Sequence, residues 1–165
     1  MWDVQTQRLL NSLDLHGSGV YYLHFASGTM VTRSTYRSDS IVVWDLVSPK
    51  EIPLCHVLDA KMLFPVTVMD FDVRYTVAAS SLPLTNPPMR LWCNLTGNLV
   101  RTLYRHRFVT CLQYRDRLLM SGSWDTTIRV WDTKCGTRRR VLENQRPVML
   151  IRFDTKRIVS YSYDK

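Results

Sequence analysis

The chain has 165 residues, of which 45% are hydrophobic and 22% are charged, a composition typical of one globular domain and not of a disordered segment. Its apolar runs are far shorter than the roughly 20 residues of a membrane-spanning helix, and the opening MWDVQTQRLL lacks an apolar stretch of signal-peptide length. We therefore expect a protein of the cytoplasm or nucleus, with no membrane partner. The net charge of +8 allows an acidic partner.

The cysteines give no sign of a metal site or a disulfide framework. Cys55, Cys93, Cys111 and Cys135 lie far apart, without a C-x-x-C pair or histidines at ligand spacing. We predict reduced thiols and neither a metal nor a cofactor. The sequon at Asn94 would be glycosylated only on the secretory route, so we expect no glycan there.

Taken in chain order, tryptophan closes a β-branched run at four places. These are MWD at 1–3, IVVWD at 41–45, MRLWC at 89–93 and IRVWD at 128–132. The tryptophans are 42, 48 and 39 residues apart, close to the roughly 40 to 45 residues of a four-stranded propeller blade. The sequence is thus a repeat, with units ending at Trp2, Trp44, Trp92 and Trp131 and a truncated unit over 133–165.

Short alternating segments between the tryptophans predict strands. They are 52–58, 65–71 and 75–80, then 99–103, 108–114 and 117–123, then 138–142, 148–153 and 157–162. The predicted fold class is all-β. Residues 1–165 form a partial propeller of about three four-stranded blades with partial blades at both ends. Because closed propellers have about four to eight blades, we expect an open ring.

The stretch GSWDTTIRVWD resembles the end of a WD40 repeat. YRDRLLMSGSWDTTIRVWD, CGTRRRVLE and IRFDTKRIVSYSYDK resemble the late propeller repeats of the beta-transducin-repeat-containing F-box proteins, which are substrate receptors of SCF ubiquitin ligases. MVTRSTYRSDSIVVWDLVSPKEI and VMDFDVRYTVAAS resemble the preceding repeats, in the same order. The resemblance implies a non-enzymatic protein-interaction module, part of a substrate-recognition propeller. No F-box-like segment precedes the repeats, so we expect no ligase docking through that module.

Carried over from the WD40 family, a structural tetrad falls on His106, Ser121 or Ser123, Asp125 and Trp131. A buried tryptophan N–H needs an acceptor, and a turn aspartate that accepts hydrogen bonds locks its hairpin. The same residue types could instead suggest a Ser-His-Asp nucleophile. The sequence has no G-x-S-x-G elbow, so we predict no catalytic residues and no enzyme.

The other units keep the tetrad less well. His16 stands at the right distance before a strand, but two extra residues displace Asp39. DAKMLF at 59–64 replaces the usual Gly-His, and three prolines in SSLPLTNPPMRLWC predict a longer loop. The last unit has ENQRP without a histidine, although Asp164 remains.

The resemblance also implies a partner-binding face built from the loops before first strands and the turns after second strands. In the family this face binds a doubly phosphorylated peptide. Here Trp124 stands in place of a phosphate-binding serine and Met149 in place of an arginine, which argues against unchanged phosphopeptide recognition. The predicted partner-binding residues are Tyr21, Thr67, Arg107, Thr110, Trp124, Met149 and Tyr163. The partner would be a protein or peptide, phosphorylated or acidic.

Three alternatives stay open at this point. The first alternative is a truncated or decayed product without binding activity. The second is a WD40 scaffold unrelated to ubiquitin, and the third is a basic nucleic-acid binder. The last rests on charge alone, and the one compact basic run, Arg138-Arg139-Arg140, is more typical of a solvated strand edge. Nucleic acid is therefore the least favoured partner.

Overall fold

A computed structural model describes residues 2–10, 12, 19–34, 40–47, 54–58, 66–80, 89–104, 106 and 108–163. Within these residues the chain forms fourteen β-strands and no helix. The strands are β1 (Val20–Ala26), β2 (Thr29–Ser34), β3 (Ile41–Asp45), β4 (Leu54–Leu58), β5 (Val68–Phe71), β6 (Tyr75–Ala79), β7 (Met89–Cys93), β8 (Leu99–Leu103), β9 (Val109–Arg115), β10 (Leu118–Ser123), β11 (Thr127–Asp132), β12 (Thr137–Glu143), β13 (Val148–Phe153) and β14 (Ile158–Ser162).

The strands form antiparallel meanders in chain order. Strands β1 to β4, β5 to β8 and β9 to β12 each make a four-stranded sheet, and β13 pairs with β14 alone. We number these sheets one to four. Short polar turns join several neighbouring strands, such as Asp72–Arg74 between β5 and β6 and Asp116–Arg117 between β9 and β10. The predicted fold class is confirmed: the chain is all-β, with four-stranded sheets in an open arrangement.

The core lies between consecutive sheets. Val43, Leu58 and Trp92 belong to an apolar cluster that joins sheets one and two. Leu103, Leu112 and Trp131 are among the residues that join sheets two and three, and a third cluster holds sheet four against sheet three. Sheets two and three are therefore apolar on both faces, which explains the nearly continuous burial of β6 and β10.

The sequence repeat is offset by one strand from the sheets. A unit that ends at Trp92 begins with β4, yet β4 pairs with β3 of sheet one, with Trp44 opposite Leu54. Likewise β8 begins the unit that ends at Trp131, but it is the outer strand of sheet two. Each unit thus covalently links two neighbouring sheets, which resists their separation.

Observed strand bounds agree with the predicted segments to within three residues: Leu99–Leu103 and Val148–Phe153 coincide, and Val68–Phe71 is shorter than the predicted 65–71. At the start of the chain, Trp2 makes one isolated antiparallel bridge to Leu9 and no named strand. The predictions for His16, Asp39, 59–64, the proline-rich 81–88, Arg107 and Asp164 lie outside the described residues. No helix within the described part of the chain is long and apolar enough to cross a membrane.

Candidate functional site

The best-defined polar network in sheet three begins at Trp131. The indole N–H donates to the Ser121 hydroxyl oxygen at 2.9 Å, and Nδ1 of His106 lies 2.5 Å from that same oxygen. All three residues are buried. Nε2 faces two acceptors, the Asp125 carboxylate and the Thr127 hydroxyl oxygen, so we assign the His106 proton to Nε2 and let Nδ1 accept from Ser121.

The other side of the imidazole faces the turn between β10 and β11. Nε2 of His106 lies 3.2 Å from the Thr127 hydroxyl oxygen and 3.5 Å from the Asp125 carboxylate. The Thr127 hydroxyl donates to Asp125 at 2.6 Å. Thr127 therefore lies between His106 and Asp125 and is a fifth member of the network. It was not predicted from the sequence, although the Asp-Thr-Thr turn contains it.

Asp125 holds the turn through its other contacts. It accepts the Thr127 amide at 3.0 Å and the Arg129 guanidinium at 3.2 Å, and its own amide donates to the Ser123 hydroxyl at 2.9 Å. Ser121 thus bonds Trp131 and His106, while Ser123 caps the turn, which separates the two serines that the sequence left as alternatives. Thr126, between them and β11, has a left-handed φ of 68°.

Protonation states follow from burial. Burial, and next the Arg129 guanidinium, lower the pKa of His106 to about 4, against the raising effect of Asp125. Burial opposes ionisation of Asp125, but hydrogen bonds from the Thr127 hydroxyl and amide outweigh it, so the pKa of Asp125 lies below its usual value. At neutral pH the pair is therefore a neutral imidazole beside a carboxylate, and not an ion pair.

This arrangement does not present a nucleophile. Ser121 is buried, and its oxygen is already within hydrogen-bond distance of both Trp131 and His106. A triad serine needs an oxygen open to the substrate beside an oxyanion hole. The chemistry of these residues is structural: they tie β10, β11 and the loop before β9 together.

Sheets one and two show how far the network is shared. The Trp44 indole donates to the Thr32 hydroxyl at 2.8 Å, in the position that Ser121 has in sheet three. In sheet two, Trp92 lies opposite Thr76, and the residue two further along β6 is Ala78, which has no hydroxyl. Sheet three carries the fullest network among the described residues.

The predicted partner-binding residues lie at equivalent places in successive sheets. The register between first and second strands aligns Tyr21, Thr67, Thr110 and Met149, which lie at the start of β1, just before β5, and at the start of β9 and β13. Trp124 follows β10 in the turn to β11. These sites share the edge of the sheets where first strands begin, which we call the top face.

Several of these residues meet in one open groove of about 490 Å³, the top-face pocket. It is lined by Thr67, Val68, Phe108, Thr110, Trp124 and Met149. The pocket thus joins sheets two, three and four, and four of its six residues were predicted from the sequence. Phe108 was not predicted. Its positive φ of 46° and the hydrogen bond that its carbonyl accepts from the Trp124 amide place it at the rim, and neither is evident from the sequence.

The pocket has the chemistry of an apolar anchor site. Trp124 is 57% exposed, and its indole, the Phe108 ring and Met149 supply soft apolar surface. The Thr110 hydroxyl lies 3.1 Å from the Gly122 carbonyl and donates to the carbonyl of Val148, which fixes β9 against β13. No charged side chain lines this part of the described structure.

Two predicted residues lie elsewhere on the top face, and one lies outside the description. The Tyr21 ring packs under the Arg33 guanidinium at 5.2 Å, which ties it to β2. Tyr163 follows β14 and is exposed. Arg107 falls outside the described residues. Neither tyrosine lines the top-face pocket.

The comparisons agree with this class of structure. Residues 97–132, which include β8 to β11, match the family described as WD domain, G-beta repeat. Residues 97–132 thus match a WD40 repeat, within an open, all-β arrangement of four-stranded sheets.

Particular relatives match over short segments. The probable E3 ubiquitin ligase complex SCF subunit sconB of Penicillium rubens is 50% identical over 34 residues, 21% of this chain and 5% of that protein. Its Emericella nidulans counterpart is 53% identical over 32 residues, 19% of this chain and 5% of that protein. Mitochondrial division protein 1 of Coccidioides immitis is 38% identical over 69 residues, 41% of this chain and 10% of that protein. The matched segments are a tenth or less of each relative.

Two solved structures match nearly the whole of this chain. The computationally designed Ika8 protein superposes with a TM-score of 0.81 at 25% identity, covering 98% of this chain and 48% of that chain. The designed Ika4 protein gives 0.75 at 25% identity, covering 94% and 92%. Both are designed propeller proteins, so the four sheets follow propeller geometry.

Proposed function

We propose that this chain recognises a peptide segment of a partner protein at the top-face pocket. The observation that carries the proposal is the convergence of Thr67, Thr110, Trp124 and Met149 from three sheets on one open groove. Ligand pockets commonly have volumes of about 300 to 1,000 Å³, with apolar walls and a few placed polar groups. This groove has that size and that lining.

The ligand we propose has an apolar or aromatic side chain as its anchor. Exposed tryptophan at the centre of a groove is a common source of binding energy in protein interfaces. Acidic residues beside the anchor would suit the net charge of +8. The described lining supplies no guanidinium or ammonium group for a phosphate, so we do not propose inherited phosphopeptide recognition as the primary mode.

We further propose that the module serves substrate recognition for an SCF-type E3 ubiquitin ligase, in the cytoplasm or nucleus. Support comes from the ordered resemblance of its repeats to F-box/WD proteins and from the 34-residue match to an SCF subunit. On this proposal the chain supplies the recognition surface, and catalysis belongs to other subunits. Ser121 is buried and is hydrogen-bonded to both His106 and Trp131, which supports a non-enzymatic role.

A displayed peptide library, with and without tyrosine and serine phosphorylation, tests the proposal. The wild-type chain should enrich peptides that share an apolar anchor, and Trp124→Ala should lose that enrichment. Leu95→Ala is a matched control, because Leu95 is exposed in the turn between β7 and β8, at the opposite end of its sheet. Enrichment that persists in Trp124→Ala would reject this pocket.

A second measurement separates the ubiquitin role from peptide binding. Affinity purification with the chain and with its Trp124→Ala variant should recover substrates of the ligase, and the ligase subunits bound to them, only with the former. If peptides bind but ligase components never co-purify, the SCF assignment fails and a general WD40 interaction module remains. A salt-dependent association with any nucleic acid, unaffected by Trp124→Ala, would instead favour the basic-binder alternative.

A further inference from the structure

The turns between first and second strands lie at the end of the sheets opposite the top face, which we call the bottom face. In sheet two the Asn94 amide donates to the carbonyl of Arg74 at 2.8 Å, and in sheet three the Thr133 amide donates to the carbonyl of Arg117 at 3.0 Å. Asn94 and Thr133 each follow the tryptophan of their sheet by two residues. Arg74 and Arg117 therefore occupy equivalent positions in neighbouring turns.

Sheet four continues this row of basic residues. Lys156 directly precedes the residue whose carbonyl accepts the Asp154 amide, as Arg74 precedes the residue whose carbonyl accepts the Asp72 amide. Lys156 is thus the equivalent of Arg74 and Arg117 in the turn between β13 and β14. All three basic residues are exposed, so three consecutive sheets each present a cation at the same place on the bottom face.

Two of these cations line one groove between sheets two and three, the bottom-face pocket. It has a volume of about 470 Å³ and is lined by Arg74, Arg117 and their turn neighbours Asp72, Val73, Tyr75, Tyr114 and Asp116. The rings of Tyr75 and Tyr114 meet edge to face, with their centroids 6.2 Å apart. The lining comes from sheets two and three alone, each of which has four strands.

The carboxylates of the bottom-face pocket are already engaged within their own turns. Asp72 accepts two amides of its turn at 2.8 Å each, and the carboxylate of Asp116 lies 3.6 Å from the Arg115 guanidinium. By contrast, the Arg74 and Arg117 guanidiniums have neither a hydrogen bond nor an ion pair within the described part of the chain. The pocket therefore has two guanidiniums available to an anionic ligand.

A second groove continues this surface on the other side of the turn between β9 and β10. It has a volume of about 260 Å³ and shares Asp116 with the bottom-face pocket. Leu118, Met120 and Phe153 give it an apolar lining, to which Lys156 adds a cation. Cations and apolar surface thus occur together from sheet two to sheet four.

We propose that the bottom face binds an acidic segment of a partner protein that also carries apolar side chains. Carboxylates of the segment pair with Arg74 and Arg117, because a guanidinium binds a carboxylate through two parallel hydrogen bonds. Its apolar side chains contact Val73 in the first groove and Phe153 in the second. The net charge of +8 favours the approach of such a partner. This site is separate from the top-face pocket and does not depend on the peptide recognition proposed there.

The bottom face suits an acidic protein segment better than a nucleic acid. Asp72, Asp116 and Asp154 lie among the basic residues of the turns and repel the continuous row of phosphates of a nucleic acid strand. Separate carboxylates on a peptide can avoid them. Tyr114 is buried and Tyr75 is partly buried, so these rings offer little surface for base stacking.

Fluorescence anisotropy at low ionic strength tests the proposal, with a labelled glutamate-rich peptide that carries two leucines as the probe. The wild-type chain should bind this peptide and should not bind its counterpart in which glutamine replaces every glutamate. Arg74→Glu and Arg117→Glu should each weaken binding about tenfold, as expected for loss of a charge-assisted hydrogen bond. No binding by the wild type, or equal binding of the glutamine peptide, overturns the proposal.

Two control variants locate the binding site. Lys134→Glu makes the same change of charge at an exposed residue of the turn between β11 and β12, outside both grooves, and should leave the affinity unchanged. Trp124→Ala alters only the top-face pocket and should also leave it unchanged. A loss in Lys134→Glu equal to that in Arg117→Glu would reveal a general effect of charge, and a loss in Trp124→Ala would place the peptide on the top face. Either result overturns the proposal.

A labelled oligouridylate distinguishes the two classes of partner. We expect its binding, if measurable, to be the same in the wild type, Arg74→Glu and Lys134→Glu. Tight binding that Arg74→Glu and Arg117→Glu abolish but Lys134→Glu does not would assign the grooves to nucleic acid and overturn the proposal. Because both arginines are exposed, the circular dichroism of each variant should match that of the wild type.

Discussion

The Trp131 indole donates a 2.9 Å hydrogen bond to Ser121, and the same hydroxyl oxygen lies 2.5 Å from the His106 ring. One buried oxygen therefore joins the tryptophan strand to the loop before β9. Phe108 and Trp124 line the top-face pocket and lie next to this network in the chain. The stability of the network therefore fixes the shape of the proposed binding surface.

Ser121→Ala should destabilise the fold. The substitution leaves the Trp131 N–H and the His106 ring nitrogen without their acceptor and donor, which costs about 1 to 3 kcal/mol for each buried group left unpaired. Urea unfolding followed by tryptophan fluorescence measures the change. Thr155→Ala, in the exposed turn between β13 and β14, is the control. An unfolding free energy equal to that of the wild type would show that the network contributes nothing.

Gly122→Ala should destabilise the contact between sheets three and four. A Cβ on Gly122 would lie 2.6 Å from the Cys111 sulfur and 2.7 Å from side-chain carbons of Ile151 and Val148. Overpacking of this kind typically costs about 1 to 3 kcal/mol. Gly19→Ala is the matched control, because nothing lies within 4 Å of its Cβ. Equal melting temperatures for the two variants would contradict the close approach of these sheets.

Acid should weaken the fold through His106. The folded pKa of about 4 lies below the ordinary value of 6.5, so the unfolded chain binds more protons between these values. Stability from this group is complete above about pH 6.5 and is lost as pH falls toward 4, by up to about 3 kcal/mol.

The measurement for His106 compares unfolding free energies at pH 7.5 and 5. A His106→Gln variant should be less stable at pH 7.5, and its free energy should fall less between the two pH values. An identical pH dependence in wild type and variant would exclude His106 as the titrating group.

Two substitutions at the half-buried Asp70 should separate the contribution of its hydrogen bond to stability from the cost of its charge. The Tyr114 amide donates to its carboxylate at 2.7 Å across sheets two and three, while burial raises the pKa of Asp70. Asp70→Ala leaves the amide without this acceptor and should cost about 1 to 3 kcal/mol. Asp70→Asn keeps an acceptor and removes the buried charge, so its stability at pH 7 should equal or exceed that of the wild type. Equal losses in both variants, measured by urea unfolding, would contradict this separation.

The strands were largely predictable from the sequence, for an identifiable reason. The start of β11, Thr-Ile-Arg-Val, alternates between polar and apolar residues, and a tryptophan marks the third strand of sheets one, two and three. The pairing partner of β4 was not evident, because the repeat and the sheet share a period and differ only by a one-strand offset.

The details of the site were less predictable. Ser121 and Ser123 are two residues apart on one strand and face the same side, so only the register of Leu119 with Trp131 separates their roles. Thr127 and Phe108 enter the site through turn geometry, Phe108 through a positive φ that no residue type signals. The convergence of Thr67, Thr110, Trp124 and Met149 followed from equivalent positions in successive sheets.

The most direct test of the central claim is the affinity of a library-selected peptide for the wild-type chain and for Trp124→Ala. Isothermal titration calorimetry should give a dissociation constant at least tenfold larger for the variant, because loss of an aromatic anchor costs about 2 kcal/mol or more of binding free energy. Leu95→Ala should leave the affinity unchanged, and circular dichroism should show both variants folded. Equal affinity of wild type and Trp124→Ala would contradict recognition at the top-face pocket.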